Sequence, residues 1–433
     1  MTGRRFAPLG VRPFGRLLTT YTVNEIGDAV GVVALAVLVY DRTQAVAPTA
    51  AIFITAKFLP ALIAPVLTAR VDQLPLRRIL PILYVLEAVA FAALGLIAAS
   101  DFLLSIVLVL ALVDGTLAIT GRGLTRGAVA AVLQPAGLLR EGNAMMNVGF
   151  AVASVGGAAL AGLLIGTFGL STALYVDAAS FLVIAVLLLL TRTLPAVEAT
   201  EEPVSTRLRA GLRYARDHVT LRMLLLGQAV ALVLFTMIVP IEVIYAKESL
   251  GTTSAGYGVL LASWGAGIFV GSLLYLRVKN RSPWALVVAS TLAVAIAYLG
   301  LAVAGSLLAA CLISVIGGIG NGIQWIAVMT ALQEQTARDY QARITGLMES
   351  LGAAMPGAGF LIGGAIVALS SPRTAYAVAG GGLLLLLIGA FPLRARLQRD
   401  GASNGAGPTG GQSLPDAFGT RPTVEAAAGR DGG

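Results

Sequence analysis

Glu25 and Asp28 stand three residues apart inside an apolar run, with Tyr21 one turn earlier. Residues spaced by three or four share one face of a helix. A helix here would therefore show a phenol and two carboxyls to the same neighbour. Lys57 and Asp114 lie in apolar runs of their own. The chemistry such groups permit is proton exchange. Loss of water disfavours a charged carboxyl and a nearby ammonium favours it, so an acid beside a gated cation can take up and release a proton. The competing reading is a fixed ion pair, Lys57 with Glu25 or Asp28, that sets helix packing.

Other chemistries lack their residues. Cys311 is the single cysteine and His218 the single histidine, which leaves no Cys/His metal site and no intrachain disulfide. No catalytic residue and no cofactor are expected. Lys57, Lys247 and Lys279 are the only lysines, and none follows glycine and precedes Ser or Thr as a phosphate loop requires. Transport work would then draw on an ion gradient. A membrane enzyme would have to rest on carboxyls or hydroxyls alone.

The elements that position these groups follow from composition. The 433 residues are 57% hydrophobic and 12% charged, with mean hydropathy +0.86. Soluble domains carry about 25% charged residues, so lipid must be the solvent for most of this chain. Twelve apolar stretches of spanning length can be drawn. Spans 1 to 6 cover roughly 16–40, 47–69, 78–99, 102–121, 144–166 and 171–191. Spans 7 to 12 cover roughly 221–246, 254–276, 284–303, 306–332, 343–369 and 374–393. None alternates at period two, so the spans are helices and the fold class is an all-α membrane protein. Arg4, Arg5, Arg12 and Arg16 before the first run resemble a signal-peptide start, but Asn24, Glu25 and Asp28 interrupt a core that continues to Tyr40. It reads as a span.

Basic residues set the orientation. All of the 30 Lys and Arg except Arg42, Lys57, Lys247 and Arg373 fall in the tails and every second connector. Cytoplasmic segments collect such residues, so both termini are expected in the cytoplasm, with the protein in the cell membrane. Orientation, and not nucleic acid, then explains the net charge of +8. The expected organisation is a cytoplasmic N-terminus (1–15), a six-helix bundle (16–191), a connector (192–220), a second six-helix bundle (221–396) and a disordered tail (397–433). Arg207, Arg209, Arg213 and Arg216 among Leu208, Leu212 and Tyr214 make the connector a candidate basic helix on anionic lipid.

The halves echo each other weakly. Arg70–Pro75 after span 2 parallels Arg277–Pro283 after span 8, and Leu133-Gln134 parallels Leu332-Gln333. Two six-helix pseudo-repeats around a central cavity are a transporter architecture. Charges survive at mid-membrane when they face a bundle interior or a wet cavity. By that rule Glu25, Asp28, Lys57 and Asp114 are joined by Glu87, Asp177 and Glu349, with Arg122 at the cytoplasmic end of span 4. Asp177 reads as structural and Glu242 as a solvated gate residue. Gln228, Asn321 and Gln324 add neutral polar groups at cavity depth, and Tyr257, Trp264 and Trp325 could stack on an amphipathic solute. Glycines such as Gly157, Gly162 and Gly363 permit close packing or bending.

Several of these segments resemble the major facilitator superfamily, and within it the bacterial drug-efflux branch of macrolide-efflux and enterobactin-exporter-like proteins. Ile26-Gly27-Asp28 is similar to that branch's Leu-Gly-Asp. Asp72, Arg77 and Arg78 resemble the superfamily's loop signature after span 2, with Thr68 and Gln73 departing from it. Gly157 to Gly162 resembles its Gly-Pro-x-x-x-Gly, with Ala158 in the proline position. Glu141–Ala144, Leu208–Tyr214, Ala255–Gly258, and Arg343 with Pro356 follow the branch in order. The resemblance implies that spans 1, 4, 7 and 10 line the cavity. That supports Glu25, Asp28, Asp114, Gln228, Asn321 and Gln324 and demotes Glu87 and Asp177. It further implies that Asp72 meets the inner end of span 11 to hold the cytoplasmic side shut. The function expected is a monomeric secondary transporter coupling protons to efflux of a small amphipathic or hydrophobic compound by alternating access. An importer or facilitator on the same scaffold, or a non-transporting receptor, are the alternatives.

Overall fold

The computed structural model describes residues 3–71, 74–100, 102–190, 204–278, 281–337 and 340–404. Twelve helices among them are long and apolar enough to cross a bilayer. Spans 1 to 6 are Arg12–Thr43, Val46–Thr68, Leu76–Ala99, Leu104–Leu133, Glu141–Phe168 and Leu170–Leu189. Spans 7 to 12 are Val219–Ser249, Ser254–Val278, Pro283–Val303, Leu307–Leu332, Gly346–Leu369 and Pro372–Ala390. The all-helical fold class expected from the sequence is the one observed. The last helix runs on to Asn404, past the expected start of the tail, and 405–433 lie outside the described residues.

Span 3 shows how these sequences choose a face. Leu80, Leu83, Tyr84, Glu87, Phe91 and Leu94 recur at helical spacing and are buried. Ile82, Val85, Leu86, Val89 and Leu96 between them are exposed. Both faces are apolar because lipid, not water, meets the outer one. The inward face is ordered by rings: Phe181 of span 6 lies 5.6 Å from Phe91 and 6.3 Å from Tyr84.

Lipid supplies no hydrophobic drive between helices, so close approach must come from small residues. Span 5 uses two. At Gly157 an added Cβ would come 2.6 Å from the Ala29 Cβ of span 1. At Gly162 it would come 3.1 Å from the Gly258 Cα of span 8. Span 5 thus touches its own half and the other half through successive glycines. In span 11 a Cβ at Gly363 would collide with the Met237 carbonyl of span 7, and one at Gly357 with the Phe58 ring of span 2. Pro356 sits inside this helix, immediately before the Gly357 contact.

One expectation needs correction. Span 4 does not end near 121 but continues to Leu133, which places Arg122 well inside the helix. The connector forms a helix, Val204–Asp217, and its buried Gly211 and Ala215 face packs on the protein. Tyr214 stacks 4.1 Å from both Tyr340 and His218, and its hydroxyl accepts the Ala337 N–H at 3.1 Å. Arg209, Arg213 and Arg216 remain exposed on the other side.

Candidate functional site

The first-half acids converge on span 4. Arg122 Nη1 lies 3.2 Å from Asp28 Oδ2 and 3.8 Å from Glu25 Oε1. Asn24 Nδ2 donates to the same Asp28 oxygen at 3.3 Å. Asn24, Glu25 and Asp28 lie on one side of span 1 because of their three-to-four spacing. Span 1 comes near span 4 there, and span 2 lies flush on span 4 because Gly115 leaves no room for a Cβ against the Ala56 carbonyl. Asp28, Lys57, Asp114, Ala118 and Arg122 line one small cavity of about 20 Å³. A single water needs roughly 10–15 Å³, so the cavity holds little more than that in this conformation. The competing reading, an ion pair of Lys57 with Glu25 or Asp28, is not what the structure shows: Arg122 takes that place. Lys57 makes no ion pair among the described residues, although Arg122, Asp28, Glu25 and Asp114 all act on it electrostatically. A π turn, Ile54–Phe58, carries Lys57, and such turns are frequent at functional positions.

Glu87 and Asp177 lie behind this cluster and are fully buried. Ser180 Oγ donates to Asp177 Oδ1 at 3.3 Å, while Asp177 Oδ2 and both Glu87 oxygens have no partner. Asp177 packs against the Gly27 and Gly31 backbone of span 1, four residues apart. That glycine pair was a sequence signal for a carboxyl seated on span 1. In the second half Gln228 and Gln324 face a separate pocket of about 70 Å³ shared with Thr291, Trp284 and Ala390. They come together with each other and not with the Arg122 cluster. Asn321 is half-buried in span 10, and Trp325 is exposed.

A third group of contacts joins the halves at the far end of the bundle, where span 1 ends. Lys247 pairs with Asp41 and lies 5.9 Å over the Tyr40 ring. The Tyr40 hydroxyl donates to Glu248 Oε1 at 2.6 Å. Nothing in the sequence marked these four, since each lies near a helix end and its partner is half a chain away. At the opposite end Arg77 and Arg78 are exposed at the start of span 3, beside an apolar groove with Ile82, Val85 and Leu189. Asp72 and the side chain of Glu349 lie outside the described residues. Charged surface pairs contribute about 1 kcal/mol or less each. Asp41→Asn with Glu248→Gln removes two such contacts and should therefore move a conformational equilibrium by roughly thirty-fold at most. A cysteine at Leu35, in the cavity lining, should label faster from the far side in that variant. An unchanged rate would show that these contacts do not hold the far end closed.

The sequence profile described as transmembrane secretion effector matches residues 3–407. The chain belongs to this family of the major facilitator superfamily. It is a membrane transporter of that fold. No curated protein matched it by sequence. Among solved structures, the nucleoside transporter NupG has a TM-score of 0.69 at 12% identity, covering 87% of this chain and 98% of that one. A POT family transporter in complex with a thioalcohol-conjugated peptide scores 0.67 at 12% identity, covering 89% and 96%. The human organic anion transporter MFSD10 scores 0.59 at 18% identity, covering 87% and 99%. At these identities the likeness is one of fold. Family and solved relatives alike are transporters and not enzymes.

Proposed function

We propose that this transporter is a proton-coupled exporter of a small amphipathic or hydrophobic compound, akin to the bacterial drug-efflux branch. The observation that carries the reading is the composition of the Arg122 cluster. Glu25, Asp28 and Asp114 bring three acids and Arg122 and Lys57 two cations. At mid-membrane an uncompensated charge is costly, and one proton on the cluster removes it. A substrate or a helix movement that changes the distance of either cation would release or take up that proton. Asp28 is the central coupling residue, with Glu25, Lys57 and Asp114 around it. Gln228, Asn321 and Gln324 supply polar contacts from the second half.

The family's description, a secretion effector, supports the outward direction. The clustering of arginines in tails and alternate connectors supports cytoplasmic termini in the cell membrane. On that orientation the Asp41–Lys247 end is outside, and its contacts close the exit. Asp72 with Arg77 and Arg78 is the inner gate, and Gly157, Gly162, Pro356 and Gly363 are where helices slide or bend. The unit of function is one chain.

Accumulation of candidate compounds in cells tests the reading. Cells expressing the wild type should accumulate less than cells lacking it, and a protonophore should abolish the difference. Asp28→Asn should accumulate as cells without the protein do. Reduced accumulation that survives the protonophore and Asp28→Asn would sink proton coupling. Increased accumulation by the wild type would turn the assignment to an importer.

A further inference from the structure

Span 3 begins with two arginines where a helix least favours them. Arg77 and Arg78 lie in the first turn of Leu76–Ala99, and that turn holds no acidic residue. The N-terminal end of a helix is its positive end, which disfavours cations and favours anions. Both side chains are exposed, and no carboxyl among the described residues forms an ion pair with either. An anion placed on them would relieve both the mutual repulsion and the helix end.

A groove starts at these arginines. It has a volume of about 660 Å³ and runs over Pro81, Ile82, Val85 and Leu86 of span 3 and Leu189 of span 6. Clefts that take ligands measure roughly 300–1,000 Å³. Ile82, Val85, Leu86 and Leu189 are exposed, on the side of span 3 opposite the buried Tyr84, Glu87 and Phe91. In a bilayer that outer side meets lipid. The helix rises about 12 Å from Arg78 to Leu86. The cations therefore lie at headgroup depth, and the apolar lining continues to the depth of the upper acyl chain. Arg16 of span 1 donates to the Leu190 carbonyl at 2.7 Å, one residue past the groove-lining Leu189. That bond holds the end of span 6 and brings a third cation to the same end of the bundle.

Charge and depth together select the occupant. A soluble anion would compensate the arginines and leave the groove bare. An uncharged chain would fill the groove and leave the arginines uncompensated. A zwitterionic lipid brings its own cation next to its phosphate. We propose that the groove between spans 3 and 6 binds one anionic phospholipid, with its phosphate on Arg77 and Arg78 and an acyl chain over Ile82, Val85 and Leu86. Basic pockets between transmembrane helices suit such headgroups. The site lies on the lipid face of one half, so it goes beyond the export reading and is independent of its direction and coupling.

Native mass spectrometry of the purified, delipidated full chain tests this. Phosphatidylglycerol is titrated in, with phosphatidylcholine of the same chains as the comparison. The wild type should take up one phosphatidylglycerol well before any phosphatidylcholine. Arg77→Gln with Arg78→Gln should weaken that first lipid by roughly 30-fold, while Arg77→Lys with Arg78→Lys should keep most of it. Val85→Trp, which fills the groove and leaves both arginines, should weaken it too. Arg209→Gln with Arg213→Gln, exposed on the connector helix, should leave it unchanged. Equal uptake of the two lipids would overturn the site. So would a first phosphatidylglycerol that the paired glutamines or Val85→Trp leave intact, or that the connector variant weakens as much. Displacement by a large excess of inorganic phosphate would also overturn it, by showing an anion site with no part for the chain.

Discussion

Arg122→Met should be the most damaging single change in the first half. It leaves Glu25 and Asp28 facing each other, three residues apart on one helix, without the guanidinium that both contact. Removing one partner from a buried ion pair costs on the order of 3–5 kcal/mol, because the other charge is left uncompensated. The expected result is a strong loss of thermal stability together with loss of transport. Adding Asp28→Leu to the same chain should restore much of the stability, since replacing a buried pair by apolar residues is often neutral. Transport should stay absent in that double variant. Thermal unfolding of the purified protein reads the first effect and cellular accumulation the second. A double variant that is no more stable than Arg122→Met would mean that Asp28 is not the group Arg122 compensates.

Gly258→Val should have the second largest effect. At Gly258 even a Cβ would come 2.6 Å from the Gly162 Cα and 2.9 Å from the Ala158 carbonyl. These are backbone atoms, which cannot rotate away as a side chain would. Overpacking of this kind costs about 1–3 kcal/mol. Because the contact joins spans 5 and 8 across the halves, the strain falls on the arrangement with the far end closed. Expression should survive while transport falls to background, and a cysteine at Leu35 should become more reactive from the far side. Leu35→Cys labelling at wild-type rates in Gly258→Val would show that the halves can absorb the side chain.

Hydropathy made the twelve spans legible, but it misplaced the end of the fourth. Arg122 read as a cytoplasmic boundary because arginines usually mark one. A helix that faces a polar cavity breaks that inference, since its inner face can be charged far from water. The same confusion counted Arg122 among the orientation arginines and left Lys57 as the apparent partner of Asp28. Spacing within span 1 correctly put Glu25 and Asp28 on one face. It carried no information on which neighbour that face meets. The Tyr40–Glu248 and Asp41–Lys247 contacts were illegible for the same reason, because they are fixed by how the two halves approach. Glu242 was read as solvated from its place near a span end. In the structure it is half-buried at the restart of a broken helix, and a break in span 7 is not visible to hydropathy.

The cavity between spans 1, 2 and 4 should change state with protonation of the Arg122 cluster. Ala118 lines that cavity and is small enough to carry a reporter. Ala118→Cys, with Cys311 replaced by Ser, can be labelled by a membrane-impermeant thiol reagent at about pH 5.5 and about pH 8.5, dividing each rate by that of the denatured protein to remove thiol ionisation itself. The normalised rate should differ between the two pH values and become the same at both when Asp28→Asn is added. A normalised rate that is equal at both pH values in the wild-type background, or a difference that survives Asp28→Asn, would contradict it.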